Sequence, residues 1–312
     1  MNILVPFNDP TALEDFLDAG VGEFYMGFYD EPWTARFGET ADLNRLSGFG
    51  SEANALPFEE VLSLIPAVKE GGAQLYVPFN AGIYSSAQQD YIAHAYFPFL
   101  AEAGVDGVIL SGPELVRAAR TCGLKAVAST MCGIFNQDIA RFYQNLGMER
   151  IIFPRELSLA DIEAVIDATP GLEYEAFLMR NGCVFSDSHC LGCHRAGHYS
   201  LCRDLRFAER WEEQRTPNAA QPTPQWDRLF AEAACGLCAL WHFERLGINA
   251  GKIVGRCDER EAILRDIRLV RRHIDIASAC SSHEEFRRCM ELPEGYKELC
   301  ASRLNCYYPE VE

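Results

Sequence analysis

The sequence predicts an α/β fold, namely a (β/α)8 TIM barrel with a cysteine-rich insertion after strand seven. A short junction recurs seven times along the 312 residues: the end of a helix, a glycine and then an apolar run. An eighth apolar run lies near the N-terminus. The runs are short and not alternating, as in strands that are buried on both faces. Strand and helix alternating eight times favour a parallel sheet closed into a barrel.

The first strand is predicted over ILVPF, residues 3–7, and each junction then adds one strand. Glycine after a helix supplies the left-handed backbone that other residues resist, so each junction predicts a helix end followed by a strand. The junctions lie at residues 18–27, 70–80, 102–110, 121–130, 145–154, 169–178 and 245–255. An open doubly wound sheet is the alternative, but it normally carries a glycine fingerprint after strand one, which is missing here.

Amphipathic segments between the strands predict the helices. The clearest examples are residues 10–19, 58–70, 113–121 and 159–168. Two stretches, 29–57 and 180–250, break the regular spacing, and both would leave the barrel at the C-terminal ends of strands, where barrel enzymes place their sites. We therefore predict a TIM-barrel domain over 1–277 that includes the cysteine-rich insertion 180–250, and a C-terminal helical tail over 278–312.

Charge and hydropathy restrict the function classes. Lys plus Arg number 28 against 45 Asp plus Glu, which gives a formal net charge of −17. Such a balance repels phosphate backbones, so we expect no nucleic acid as partner. The N-terminus lacks the charged and apolar regions of a signal peptide, and no window approaches the ~18 apolar residues of a membrane span. We expect a cytoplasmic protein with reduced thiols and no membrane partner.

Six of the thirteen cysteines lie between residues 183 and 238. Three interpretations are open. The thiols could be small buried hydrophobic groups, which fits the scattered residues Cys122, Cys132, Cys257, Cys280 and Cys289. They could bind zinc, because Cys190-x2-Cys193 and Cys235-x2-Cys238 form two knuckles. They could instead hold a 4Fe-4S cluster through four thiolates, and Cys183-x6-Cys190 with the distant Cys202 and Cys235 suits a cluster held across an inserted lobe.

Several motifs together resemble the collagenase-like "U thirty-two" peptidase family. The most specific are RELSL, within RELSLADI (155–162), and Cys183-x6-Cys190, whose first cysteine lies eight residues after Glu175 of EAFL. Weaker matches are DAGVGEFYMG (18–27), AST (128–130) and KIVGR (252–256). The resemblance implies a TIM barrel, and for several members of the family oxygen-independent hydroxylation of ubiquinone precursors or RNA bases with a 4Fe-4S cluster. It also makes Cys183, Cys190 and Cys202 cluster ligands, with Cys235 or Cys238 as the fourth.

Polar residues at predicted strand ends are the candidates for substrate chemistry. Arg155 and Glu156 follow strand six, where charged side chains of a barrel point into the mouth. We assign catalytic roles to Arg155, Glu156 and Glu175, and we expect the interior carboxylate of Glu175 to pair with Arg155 or Arg180. Substrate binding is assigned to residues at the ends of other strands, namely Asn80, Ser129 and Arg256.

The resemblance, taken with these residues, implies an iron–sulfur hydroxylase-like oxidoreductase acting on a small anionic substrate, with a second barrel subunit of the same family as a further partner. Two alternatives stay open. The first is a peptidase, as the family name implies. The second is a non-catalytic metal-binding partner subunit. Zinc is the alternative cofactor.

Overall fold

In the computed structural model, eight parallel strands close into a barrel. The structure describes residues 1–183, 186–190, 234–292, 295–303 and 306–311. Each strand pairs with the next in chain order and the last pairs with the first, so the predicted TIM barrel is confirmed. The strands β1 to β8 are Asn2–Pro6, Glu23–Tyr25, Gln74–Phe79, Gly107–Leu110, Lys125–Ala128, Arg150–Ile152, Glu173–Met179 and Ala250–Ile253.

Helices connect successive strands and form the outer layer. Two of the predicted segments have the predicted bounds, since Phe58–Glu70 and Leu159–Ala168 are both helices. The helix ends confirm the role of the junction glycines: Gly104 and Gly147 have φ of 93° and 101° directly after their helices. The remaining α-helices of the described residues are Leu13–Asp18, Glu31–Phe37, Ser86–Tyr91, Phe97–Ala103, Val116–Thr121, Gln137–Leu146, Leu240–Leu246, Arg260–Ala279, His283–Cys289 and Tyr296–Ser302.

The barrel interior carries charged side chains towards the N-terminal ends of the strands. Arg150 is buried there, and its guanidinium bonds both carboxylate oxygens of Glu23, at 2.5 and 3.1 Å. The same guanidinium bonds Glu173 at 2.6 Å. A buried charge is tolerated when it is paired and hydrogen-bonded, so these carboxylates keep Arg150 charged inside the barrel.

The described parts of both irregular stretches lie at the C-terminal end of the barrel, which we call the mouth. Residues 29–57 contain the helix Glu31–Phe37 and the 3-10 turn Ser47–Glu52. The later insertion is described only over 180–183, 186–190 and 234–250, so most of it lies outside the described residues. Its last part returns to the barrel as an antiparallel bridge between Cys235 and Met179.

The C-terminal tail packs back on the barrel near the same point. It contains the helices His283–Cys289 and Tyr296–Ser302, and its end is fixed by Tyr308, whose hydroxyl donates to the Phe177 carbonyl at 3.2 Å. The division into a barrel domain and a tail stays a prediction. Within the described parts of the chain, no helix combines the length and the apolar character needed to cross a membrane.

Candidate functional site

A carboxylate buried at the mouth joins two arginines from distant parts of the chain. The Asp187 side chain is 1% exposed. Arg45 donates to its Oδ1 at 2.5 Å, and Arg155 donates to its Oδ2. Despite its burial, the two guanidinium groups hold the pKa of Asp187 well below its usual range. Asp187 therefore stays ionised and fixes the turn Asp187–His189 over the mouth.

Arg155 is also held by aromatic rings. Its guanidinium carbon lies 3.8 Å from the centroid of the Phe177 ring and 5.9 Å from that of Tyr307. Stacking of a guanidinium on an aromatic face adds a cation–π attraction to the ion pair. The structure thus places Arg155 at the mouth, as the sequence indicated, and gives it Asp187 as partner, which the sequence analysis did not identify.

Arg256 is a buried cation that has no carboxylate partner among the described residues. It is 7% exposed, and its Nη1 donates to Asn54 Oδ1 at 3.2 Å. In the part of the chain that the structure describes, no carboxylate forms an ion pair with it. Burial therefore lowers the pKa of Arg256 to about 10, which leaves it charged at neutral pH. A buried positive charge is unfavourable unless an anion lies close to it.

The surroundings of Arg256 are shaped for close packing around its guanidinium. A Cβ at Gly27 would lie 2.6 Å from Arg256 Nη1 and even closer to Asn54 Oδ1. Asn8 donates through its Nδ2 to the Arg256 carbonyl, while its own buried Oδ1 has no hydrogen-bond partner among the described residues. This corner of the mouth therefore offers one cation and one acceptor to a ligand.

Asn80 and Ser129 lie next to each other on the opposite part of the mouth. Asn80 donates to Ser129 Oγ at 3.3 Å and accepts from the Arg45 backbone N–H at 3.1 Å. Ser129 Oγ also accepts from Met131 N–H at 3.3 Å, which caps a short turn. Both side chains thus have a structural task in addition to the substrate contact predicted for them.

The two glutamates that were assigned catalytic roles have different surroundings. Glu156 is exposed in the turn after β6. Glu175 is 1% exposed and accepts from Lys252 Nζ at 2.8 Å, with Arg150 Nη1 at 3.7 Å. The expected pairing of Glu175 with Arg155 or Arg180 is wrong, because the β7–β8 register places Lys252 inside the barrel beside it. Arg180 pairs instead with Asp258 and Asp266.

Lys252 is a residue that the sequence analysis missed. Its Nζ lies 4.2 Å from the centroid of the Tyr25 ring, and burial lowers its pKa although Glu175 favours the charged form. Burial also disfavours the charged form of Tyr25, and for a hydroxyl this raises the pKa. The signal was the position of Lys252 inside the predicted strand eight, because a charged side chain in a strand that is buried on both faces needs a partner inside the protein.

The predicted metal ligands fall into two places. Cys183 and Cys190 flank the Asp187 turn at the mouth, and Cys183 Sγ lies 4.0 Å from Arg45 Nη2. Cys235 and Cys238 are buried beside β7, and burial raises the pKa of Cys238 to about 11. Cys193 and Cys202 lie outside the described residues. Among the residues described, no three His, Cys, Asp or Glu side chains are arranged to hold a metal ion, so the cofactor stays a prediction.

Removing the buried charge at residue 187 tests the network at the mouth. We expect Asp187→Asn to lower the free energy of unfolding by about 3 kcal/mol, because two arginines lose their counter-charge. Since the folded pKa of Asp187 is depressed, the difference is fully present above about pH 4 and shrinks as pH falls below it. Chemical denaturation at several pH values measures it.

Asp138→Asn is the matched control for this prediction. The Asp138 side chain is 93% exposed and pairs with Arg141 at 3.1 Å on the outer helix layer, and a surface pair contributes at most about 1 kcal/mol. Equal effects of the two substitutions at neutral pH would contradict the structural role given to Asp187.

Comparisons with known proteins identify related chains. The model of peptidase family U32 matches residues 9–303. An uncharacterized protease of Methanocaldococcus jannaschii is 24% identical over 286 residues, which cover 88% of this chain and 65% of the relative. The tRNA hydroxylation protein P1 of Bacillus subtilis is 23% identical and covered to 77% and 58%. The solved structure of the U32 peptidase Mk0906 has a TM-score of 0.51 at 13% identity, with 82% and 93% covered.

A shorter match bears on the substrate. The 23S rRNA 5-hydroxycytidine C2501 synthase of Escherichia coli is 27% identical over 148 residues, which cover 47% of this chain and 22% of the synthase. Because these relatives are named for tRNA and rRNA, the expectation that nucleic acid is not a partner is wrong. The expectation of a small anionic substrate is wrong for the same reason. The net charge of −17 sums over the whole chain, whereas the mouth holds the cations Arg45, Arg155 and Arg256.

Proposed function

The chain belongs to peptidase family U32, and on that premise we propose that it takes part in the hydroxylation of an RNA base. The support comes from the names of its relatives, a tRNA hydroxylation protein and a 23S rRNA 5-hydroxycytidine synthase. The chain spans 22 to 65% of the length of the relatives reported above. What those longer proteins do as a whole therefore enters as part of the proposal.

The observation that carries the proposal is Arg256, a buried cation at the mouth that has no ion-pair partner among the described residues. Arg256 follows β8, and in barrels the loops after strands seven and eight frequently bind phosphate. An RNA backbone would bring an anion to Arg256, and the guanidinium fork matches phosphate geometry. The phosphate would also neutralise a charge whose burial is unfavourable. Arg256 is accordingly the backbone contact of the proposed site.

Base recognition is assigned to the polar pair across the mouth. Asn80 and Ser129 present an amide and a hydroxyl that can donate and accept hydrogen bonds, and they lie 3.3 Å apart. Proteins recognise RNA sequences mostly through unpaired bases whose edges are exposed. A base extruded from a loop would thus enter the mouth between Arg256 and this pair.

The buried residues below the mouth have the remaining roles. Glu175 and Lys252 form an ion pair at 2.8 Å beneath Tyr25, so they can hold a proton near the bound base. Arg155 acts as a positioning residue through Asp187. Glu156 is exposed at the rim and is assigned to the edge of the RNA site.

We propose a 4Fe-4S cluster as cofactor, bound by Cys183, Cys190, Cys202 and one thiol of the pair Cys235 and Cys238. The described residues fit such a group in their chemistry: soft thiolates suit iron–sulfur clusters. Arg45 and Arg155 both interact electrostatically with Cys183 and place positive charge beside an anionic cluster. When bound, the cluster would supply electron transfer.

An RNA-binding experiment tests the proposal. Fluorescently labelled bulk tRNA and a fragment of 23S rRNA are titrated with the purified chain at low salt, with duplex DNA of equal length as the control. We expect RNA to bind more tightly than the duplex, because an unpaired base can enter the mouth. If neither RNA binds, or if DNA binds equally well, the proposed substrate class is wrong.

A further inference from the structure

Among the described residues, an asparagine and not a carboxylate meets the guanidinium of Arg256. Asn54 lies in the stretch 29–57 that follows β2, and it is 2% exposed. Its Oδ1 accepts from Arg256 Nη1 at 3.2 Å. An amide oxygen accepts a hydrogen bond from an arginine but carries no formal charge. Asn54 therefore orients the guanidinium and leaves its positive charge uncompensated.

The orientation of the Asn54 amide is fixed by its own neighbours. Its Nδ2 donates to the Leu46 carbonyl at 3.2 Å, and its Oδ1 accepts a second hydrogen bond from Asn44 Nδ2 at 2.9 Å. Asn44 is 1% exposed, and its Oδ1 accepts from the Leu46 N–H at 3.0 Å. A reversed Asn54 amide would place oxygen against the Leu46 carbonyl and nitrogen against Arg256. The network thus directs the Asn54 oxygen to the arginine.

Arg256 differs in this respect from the other arginines that are shielded from solvent. Every other buried or half-buried arginine among the described residues forms an ion pair with a carboxylate. The pairs are Arg45 and Arg155 with Asp187, Arg150 with Glu23, Arg180 with Asp266, Arg260 with Asp15, and Arg271 with Asp275. A shielded cation is usually compensated in this way, so the amide beside Arg256 calls for a separate reason.

We propose that Asn54 is a positioning residue that keeps Arg256 free to bind a phosphate group of the RNA backbone. The proposal rests on the proposed function, in which Arg256 is the backbone contact. A carboxylate at position 54 would neutralise the guanidinium and compete with the phosphate for its N–H groups. The amide holds the same guanidinium through a single hydrogen bond. An arriving phosphate therefore meets an oriented cation whose charge is still available.

Two substitutions at position 54 separate this role from packing. Asn54→Asp exchanges the amide nitrogen for oxygen and gives Arg256 a counter-charge, whereas Asn54→Ala removes the amide and leaves the charge free. We expect Asn54→Asp to weaken the binding of labelled bulk tRNA by about tenfold or more. The slope of log K against the logarithm of the salt concentration should fall by about one. Asn54→Ala should bind more tightly than Asn54→Asp and keep the wild-type slope.

Asn249→Asp is the matched control, because it adds the same charge directly before β8, at the opposite end of the barrel. Asn249 Oδ1 accepts from the Tyr174 N–H at 2.8 Å, a hydrogen bond that an aspartate retains. The control should bind tRNA as the wild type does. In a double-mutant cycle, Asn54→Asp should cause no further loss when it is combined with Arg256→Met. The proposal is overturned if Asn54→Ala binds no better than Asn54→Asp, or if Asn54→Asp weakens binding equally with and without Arg256.

Inorganic phosphate provides a second measurement that depends neither on RNA nor on the folding of Asn54→Asp. At constant ionic strength, phosphate should raise the thermal midpoint of the wild type and of Asn54→Ala more than that of Arg256→Met, because an anion that binds the native state stabilises it. The general stabilisation by phosphate acts on all three alike. Equal rises in the three proteins would overturn the proposal. A wild type that responds to phosphate but binds no RNA would instead contradict the proposed function, so the two failures are distinguishable.

Discussion

Replacing Cys183 with serine is expected to remove most of the iron from the anaerobically purified protein. A serine hydroxyl is a hard, protonated ligand that replaces a soft thiolate poorly. Cys183 lies beside Arg45 and Arg155, whose charges favour an anionic cluster at this position. Iron and acid-labile sulfide analysis, together with the visible absorbance, measures the loss.

The control for this experiment is Cys122→Ser. Cys122 is a half-buried cysteine at the end of the helix Val116–Thr121, away from the mouth. The variant should retain the iron and the colour of the wild type. If Cys183→Ser keeps its iron, or if the wild type contains zinc and no sulfide, the assignment of Cys183 to an iron–sulfur cluster is wrong. Thermal unfolding of both variants shows whether either substitution acts through folding.

Replacing Arg256 with methionine is expected to weaken RNA binding tenfold or more. A charge-assisted hydrogen bond is worth about 1.5–3 kcal/mol, and 1.4 kcal/mol corresponds to a factor of ten in affinity. Loss of one phosphate contact should also reduce the slope of log K against the logarithm of the salt concentration by about one. Methionine keeps an unbranched apolar stem like that of arginine but lacks the guanidinium, so the buried stem packing is largely retained while the hydrogen bond to Asn54 is lost.

Arg141→Met is the matched control for Arg256→Met. The Arg141 side chain is 53% exposed and pairs with Asp138 on the outer helix layer, away from the mouth. It should leave the affinity for tRNA unchanged. Equal loss in both variants would show that RNA is held by general surface charge, and no loss in Arg256→Met would remove Arg256 from the RNA site.

The barrel could be predicted because its signals are local. Apolar runs buried on both faces, and glycines such as Gly104 and Gly147 after helices, report strand and helix ends within a few residues. The placement of Arg155 and Arg256 at the mouth followed from the same rule, since residues after barrel strands face that end. None of these predictions required knowledge of a contact between distant segments.

The partners of the charged residues could not be predicted, because they depend on distant segments. Asp187 is 142 residues from Arg45, and Glu175 is 77 residues from Lys252. Which acid meets which base depends on the register of β7 and β8 and on where the turn Asp187–His189 lies at the mouth. The parallel backbone bridge between Cys235 and Cys306 was missed for the same reason, since it joins the end of the insertion to the C-terminal tail.

Net charge misled the prediction of partners for a different reason. The total of −17 counts carboxylates all over the chain, whereas binding depends on the local potential in a cleft with low-dielectric walls. Arg256, with no ion-pair partner among the described residues, creates a positive site inside an acidic protein. The sequence shows the sum of the charges, and only the fold shows which of them are left without a partner.

Nucleoside analysis of cellular RNA tests the central claim most directly. RNA from a strain lacking this chain is digested and compared by mass spectrometry with RNA from the same strain supplied with the wild type, Cys183→Ser or Arg256→Met. We expect a nucleoside one oxygen atom heavier than its parent to appear with the wild type, and to be lost with Cys183→Ser and reduced with Arg256→Met. Identical nucleoside profiles with and without the wild-type chain would contradict a role in RNA hydroxylation.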